Sequence, residues 1–87
     1  MFYTYILQSE ATGRYYIGST DNLDRRFKEH NDPHYSGSKT TKRFKGPWNL
    51  AYSETFNTRS EAMLREKQIK SWKSAKAITC LIDSSVG

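Results

Sequence analysis

A chain of 87 residues suffices for one small domain with a limited core, which tolerates few unsatisfied polar groups inside it. Its 14 Lys and Arg against 9 Asp and Glu leave a formal net charge of +5, which biases the surface towards polyanions, either nucleic acid or an anionic membrane. No run approaches the ~20 apolar residues of a membrane helix, the start lacks a signal-peptide pattern, and the single cysteine, Cys80, rules out an intrachain disulfide or a Cys-based zinc site, so a soluble cytoplasmic protein is expected.

The segment Phe2-Tyr3-Thr4-Tyr5-Ile6-Leu7 is aromatic and β-branched without a helical period, and Arg14 to Gly18 is similar. With Glu10-Ala11-Thr12-Gly13 between them they read as a β-hairpin. Ser19-Thr20 offer capping hydroxyls, after which Leu23, Arg26, Phe27 and His30 fall on one stripe of a helix that Asn31-Asp32-Pro33 ends. From His34 to Pro47 the chain is polar and aperiodic, with Lys39, Lys42, Arg43 and Lys45 and a short helix expected around Lys39 to Phe44. Leu50, Tyr52, Glu54 and Phe56 then alternate along a third strand from Trp48 to Phe56. Thr58 or Asn57 caps a helix through about Trp72, and a last helix covers Ser74 to Ile82. The domain is assigned to residues 1–83 and a disordered tail to 84–87. The elements make an α+β domain, a class too common to specify a function.

Three residues break the apolar pattern of their own helices. Arg26 and His30 are i, i+4 neighbours on the stripe that Leu23 and Phe27 should bury. Glu66 lies between Ala62 and Ile69 on a face that should be apolar. Buried charge is costly unless paired or bound to a metal, so a shared site is the economical explanation.

These residues stand in a recognisable order. Tyr3-Thr4-Tyr5 precedes an intact Tyr16-Ile17-Gly18, Arg26 follows Tyr16 by ten positions, His30 comes one turn later, and Ser60 to Glu66 ends in a glutamate. The combination resembles the GIY-YIG nuclease superfamily over nearly the whole chain. It is most similar to the small single-domain bacterial members, related to the nuclease domain of the excinuclease subunit that makes the incision in nucleotide excision repair. Tyr3 and Thr4 replace the first two residues of the family's Gly-Ile-Tyr triplet. The resemblance implies a small three-stranded antiparallel sheet flanked by helices and a metal-dependent endonuclease acting on DNA.

It also implies roles. Glu66 would hold Mg²⁺ or Mn²⁺. Arg26 would grip the scissile phosphate with a bidentate fork. Tyr5 is the candidate general base, needing help because a phenol pKa is roughly 10. His30, or a lysine such as Lys42, would give that help, and Tyr16 would orient the water or the phosphate. Each residue has a plainer reading beside this one: Tyr5 and Tyr16 as core aromatics, Arg26 as a snorkelling cation, Glu66 as a solvated or ion-paired carboxylate, His30 as a cation at a helix C-terminus, Gly18 as a conformational aid.

Arg25, Lys39, Lys42, Arg43 and Lys45, with Lys28, Lys67, Lys70 and Lys73, would contact nucleic-acid phosphates outside the site. Tyr35, Phe44 and Trp48 interleave with cations and are candidates for stacking on unpaired bases, although core packing suits Trp48 better. No helix has a sequence-reading character, so selectivity for DNA structure or weak sequence preference is expected. The competing function is a nucleic-acid-binding module of the same fold that needs a protein partner to cleave, since relatives commonly carry added specificity domains. A purely structural domain leaves the inward Arg26, His30 and Glu66 unexplained.

Overall fold

The computed structural model describes residues 1–31 and 47–86. The expected short helix at Lys39 to Phe44 lies outside them, as do Tyr35, Lys39, Lys42, Arg43 and Lys45. Strands β1 (Phe2–Ser9), β2 (Tyr15–Thr20) and β3 (Trp48–Phe56) accompany helices α1 (Leu23–Asn31), α2 (Arg59–Ser71) and α3 (Ala75–Val86). The three strands form one antiparallel sheet in the order β2-β1-β3.

The β1 strand is central, which accounts for its unbroken apolar run: Thr4, Tyr5, Ile6 and Leu7 are all buried because both faces of the sheet are covered. Ile6 and Ile17 pack with Ile69 of α2 and Ile78 of α3 on one face. On the other, Tyr5, Leu7 and Trp48 pack with Tyr16 and with Leu23 and Phe27 of α1. Burying each such aliphatic side chain contributes about 1.5–3 kcal/mol, so two small cores share one strand as their common wall.

Alternation along β3 does not persist as the sequence suggested. Ile6 pairs with Tyr52 but Leu7 pairs with Leu50, which leaves Ala51 as the extra residue of a β-bulge. Tyr52, Glu54 and Phe56 therefore share the face of Ile6, whereas Leu50 is turned to the opposite face and is 42% exposed. The same shift puts Trp48 beneath α1, buried as a core anchor. Asn31, the last residue of α1, grips the Trp48 backbone from both sides: Trp48 N donates to Asn31 Oδ1 at 2.7 Å, and Asn31 Nδ2 donates to Trp48 O at 3.0 Å.

The helix caps explain the observed boundaries. Asn22, rather than Ser19 or Thr20, caps α1: its Oδ1 accepts from Arg25 N, while Thr20 Oγ1 accepts from Asn22 N and so holds the cap in place. Thr58 caps α2 by accepting from Glu61 N, and its hydroxyl donates to the Glu61 carboxylate. Ser74 caps α3 through Ala77 N. That last helix runs to Val86, past the boundary at Ile82 and through Ser84, where a loose tail was expected. Ser84 satisfies its hydroxyl inside the helix by donating to Leu81 O, so it does not interrupt the turn.

One buried polar contact ties the sheet to α2. Thr4 Oγ1 donates to Ala62 O at 2.7 Å, and that carbonyl lies one helical turn before Glu66. Thr4 thus fixes the turn beneath Glu66, while its neighbour Tyr5 points to the opposite face. Thr4→Val keeps the shape and removes the bond, and should cost about 1 kcal/mol, lowering the thermal midpoint by roughly 5 °C in a calorimetric scan. An unchanged midpoint would show that the hydroxyl does not anchor the helix.

Candidate active site

The site forms where β1, β2 and α1 meet. Tyr5 and Gly18 are direct cross-strand partners, and the Tyr5 ring lies over the glycine. A Cβ built on Gly18 would stand 2.5 Å from Tyr5 Oη, 2.7 Å from Tyr5 Cζ and 3.2 Å from Tyr16 Cε1. Gly18 is therefore required for space, not for backbone freedom, and its reading as a conformational aid is corrected.

The helical stripe of α1 brings the next two residues in. His30 Nε2 lies 2.9 Å from Tyr5 Oη, and the imidazole centroid is 4.7 Å from that of Tyr16. Arg26 also hydrogen-bonds the Tyr5 hydroxyl and pairs with Glu29 at 3.6 Å. A guanidinium can only donate, so the phenol oxygen accepts from Arg26. Its own proton is then available to Nε2 in the imidazole tautomer protonated at Nδ1. Tyr16, half-buried, stacks edge-on against Trp48 at 6.4 Å.

Electrostatics keep both members of this pair neutral. Burial pushes the Tyr5 phenol well above its usual pKa, and the neighbouring Tyr16 adds to the effect. Arg26 opposes it through its hydrogen bond and charge, and Glu66 raises it further. Burial lowers the His30 pKa from 6.5 to about 4, helped by Arg26 and opposed by Glu29. His30 is consequently a neutral acceptor near pH 7, which removes the alternative of a cation capping the helix C-terminus.

This displacement makes folding pH-dependent. Between pH 6.5 and about 4 the unfolded chain takes up a proton on His30 that the folded chain does not. Stability from this group is therefore complete above about 6.5 and declines as pH falls towards 4, by on the order of 3 kcal/mol. His30→Gln, which cannot titrate there, should lose stability less steeply over that window in denaturant titrations. Parallel curves for the two proteins would contradict a buried neutral imidazole.

Glu66 enters from α2 and acts on Tyr5 electrostatically. It is also ion-paired, with Lys70 Nζ 2.7 Å from its carboxylate, so the plainer expectation for this residue is met alongside its coupling to the cluster. Lys70 had been grouped with outlying phosphate contacts; its i+4 spacing from Glu66 was the available signal. Arg25 stays outside the cluster, exposed on α1 between Asp21 and Glu29. Of the five candidate residues, Tyr5, Tyr16, Arg26 and His30 are thus linked by direct contacts, and Glu66 is coupled to them through Tyr5.

Residues 1–78 match the GIY-YIG catalytic domain, and the chain belongs to this family of nucleases. It is similar to the UPF0213 protein of Natronomonas pharaonis, 39% identical across 95% of this chain and 93% of that one. The UPF0213 protein of Halobacterium salinarum is 40% identical across 80% of this chain and 86% of its own length. A solution NMR structure of the UPF0213 protein BH0048 from Bacillus halodurans shares the fold with a TM-score of 0.57 and 34% identity, over 95% of this chain and 84% of that one. No helix among the described residues is long and apolar enough to cross a membrane.

Proposed function

We propose that the chain is a divalent-metal-dependent endonuclease that hydrolyses DNA phosphodiesters in the cytoplasm, selecting DNA structure or, weakly, sequence. The observation that carries this is the Tyr5 hydroxyl, bonded to His30 Nε2 at 2.9 Å and to Arg26, with Glu66 in electrostatic reach. A tyrosine serving only the core needs one partner for its hydroxyl. Here an acceptor and a guanidinium meet one phenol, and a carboxylate lies within electrostatic reach.

The donor chemistry suits a hard cation. Glu66 offers carboxylate oxygen and is partly exposed, and no group of three or more His, Cys, Asp or Glu able to hold a metal occurs among the described residues. One carboxylate with a largely aqueous shell fits Mg²⁺ or Mn²⁺ and not a structural zinc. Glu66 would hold such an ion, which when bound would supply positive charge to the phosphate oxygens. Arg26 binds the nonbridging oxygens. Tyr5, held by His30 Nε2 and aided by the Arg26 charge in losing its proton to solvent, accepts one from the attacking water, and Tyr16 orients that water or the phosphate.

The test is incubation with nicked, branched, single-stranded and duplex DNA in Mg²⁺, Mn²⁺ or EDTA. Wild type should cleave at least one of these only with metal, and Glu66→Ala should reduce the rate by at least about a hundredfold. Cleavage that survives Glu66→Ala sinks the metal assignment. A second reading, a binding module of the same fold, is favoured by the Glu66–Lys70 ion pair, which already compensates the carboxylate. Binding without cleavage on every substrate would select it.

A further inference from the structure

A cleft of about 600 Å³ opens between the hairpin turn and the joint of α2 with α3. That volume falls in the roughly 300–1,000 Å³ range of sites that enclose a small molecule. Ile17, Ile69 and Ile78 form an apolar floor. The ring of Tyr15 makes one side, steadied by a 2.9 Å hydrogen bond between its hydroxyl and Thr79 Oγ1. Arg14, Lys70 and Lys73 line the cleft as well, and no acidic side chain among the described residues does. An apolar floor with cations around it suits a base joined to its phosphate.

Two details separate this cleft from an ordinary surface hollow. Lys73 follows the C-cap Trp72 with φ at +50°, the left-handed position where helices commonly use glycine because a Cβ is penalised there. A lysine at that position keeps a cation beside the cleft in spite of the backbone strain. Lys70, moreover, joins the cleft to the catalytic cluster, since its ammonium is bonded to the Glu66 carboxylate.

We propose that the cleft receives an unpaired nucleotide of the bound strand outside the catalytic cluster, with its base against Tyr15 and the isoleucine floor and its phosphate on Lys70 and Lys73. The substrate class is then single-stranded or flapped DNA, because a base stacked and paired within a duplex cannot enter. This assignment rests on the nuclease function proposed above, but it is tested through binding.

Fluorescence anisotropy in EDTA, where a metal-dependent nuclease cannot cut, would compare three labelled DNAs: an oligothymidine single strand, a blunt duplex and a duplex with a single-stranded flap. Lys73→Gly removes the cation while suiting the backbone, and Ala75→Trp, at an exposed position on the cleft wall, fills the space. Each should weaken binding of the single strand and the flap about tenfold and alter blunt-duplex binding by less than about twofold. Lys73→Arg should retain wild-type affinity, and Lys73→Gly should unfold at the wild-type temperature or above. Equal losses on all three DNAs, or no loss with either variant, overturns the cleft assignment. Wild type that shows the expected binding pattern yet cuts nothing with Mg²⁺ or Mn²⁺ supports the cleft and overturns the nuclease function alone.

Discussion

Gly18→Ala should destabilise the protein by about 2 kcal/mol and lower its thermal midpoint by roughly 10 °C. In most strands the exchange is harmless or mildly helpful, because alanine loses less backbone entropy than glycine on folding. Here the new methyl would fall 2.5 Å from Tyr5 Oη and 2.7 Å from Cζ. The ring cannot simply swing aside: it is 1% exposed, and its centroid lies 6.3 Å from that of Tyr16 and 5.8 Å from that of His30. Relief must come from moving Tyr5 off its hydrogen bond or from separating β1 and β2. Either displaces the phenol, so DNA cleavage should fall together with stability, by about a hundredfold for a shift near 1 Å. A calorimetric midpoint within a degree or two of wild type would mean that the space above Gly18 is not filled as described.

That role for Gly18 shows where sequence reasoning stopped. The motif marked the residue, but the reason for it lies on the neighbouring strand, in a ring that only the β1–β2 register brings overhead. Arg26, His30 and Glu66 were legible because they interrupt apolar helical stripes, a local and periodic signal. The strands, helices and even the Trp48 and Phe56 boundaries were legible for the same reason. The bulge at Ala51 was not, since Leu50 to Phe56 alternates without a break in sequence, and the slip appears only in the pairing of Ile6 and Leu7. Nor was the grip of Asn31 on the Trp48 backbone, made across 17 positions by a residue that reads locally as a helix stop. For Tyr5 the sequence left two readings open, a core aromatic and a site hydroxyl served by His30, and its 1% exposure with the hydroxyl on His30 joins them. Strand periodicity alone does not set that depth; the grouping with Arg26 and His30 came from the resemblance.

That depth bears on which tyrosine is the base. Tyr5→Phe should reduce the metal-dependent cleavage rate by about 10²–10⁴-fold, the usual contribution of a positioned proton-transfer group. Stability should change by only about 1–3 kcal/mol, since the ring remains and the two hydrogen bonds of its hydroxyl are lost. Tyr16→Phe should cost markedly less, roughly tenfold, if its hydroxyl only orients the water or the phosphate. The contrast follows from geometry. The Tyr5 hydroxyl is positioned by a neutral imidazole 2.9 Å away, and its hydrogen bond to Arg26 offsets part of the rise that burial imposes on its pKa. The same rise means that ionised Tyr5 is scarce at neutral pH, so the wild-type rate should climb with pH above 7, and Tyr5→Phe should flatten that climb. A larger loss in Tyr16→Phe, with the alkaline rise intact in Tyr5→Phe, would move the base to Tyr16. Combining Gly18→Ala with Tyr5→Phe adds an internal control. Removing Oη deletes the atom nearest the new methyl but leaves Cζ at 2.7 Å, so the double variant should recover part of the stability lost in Gly18→Ala and none of the activity.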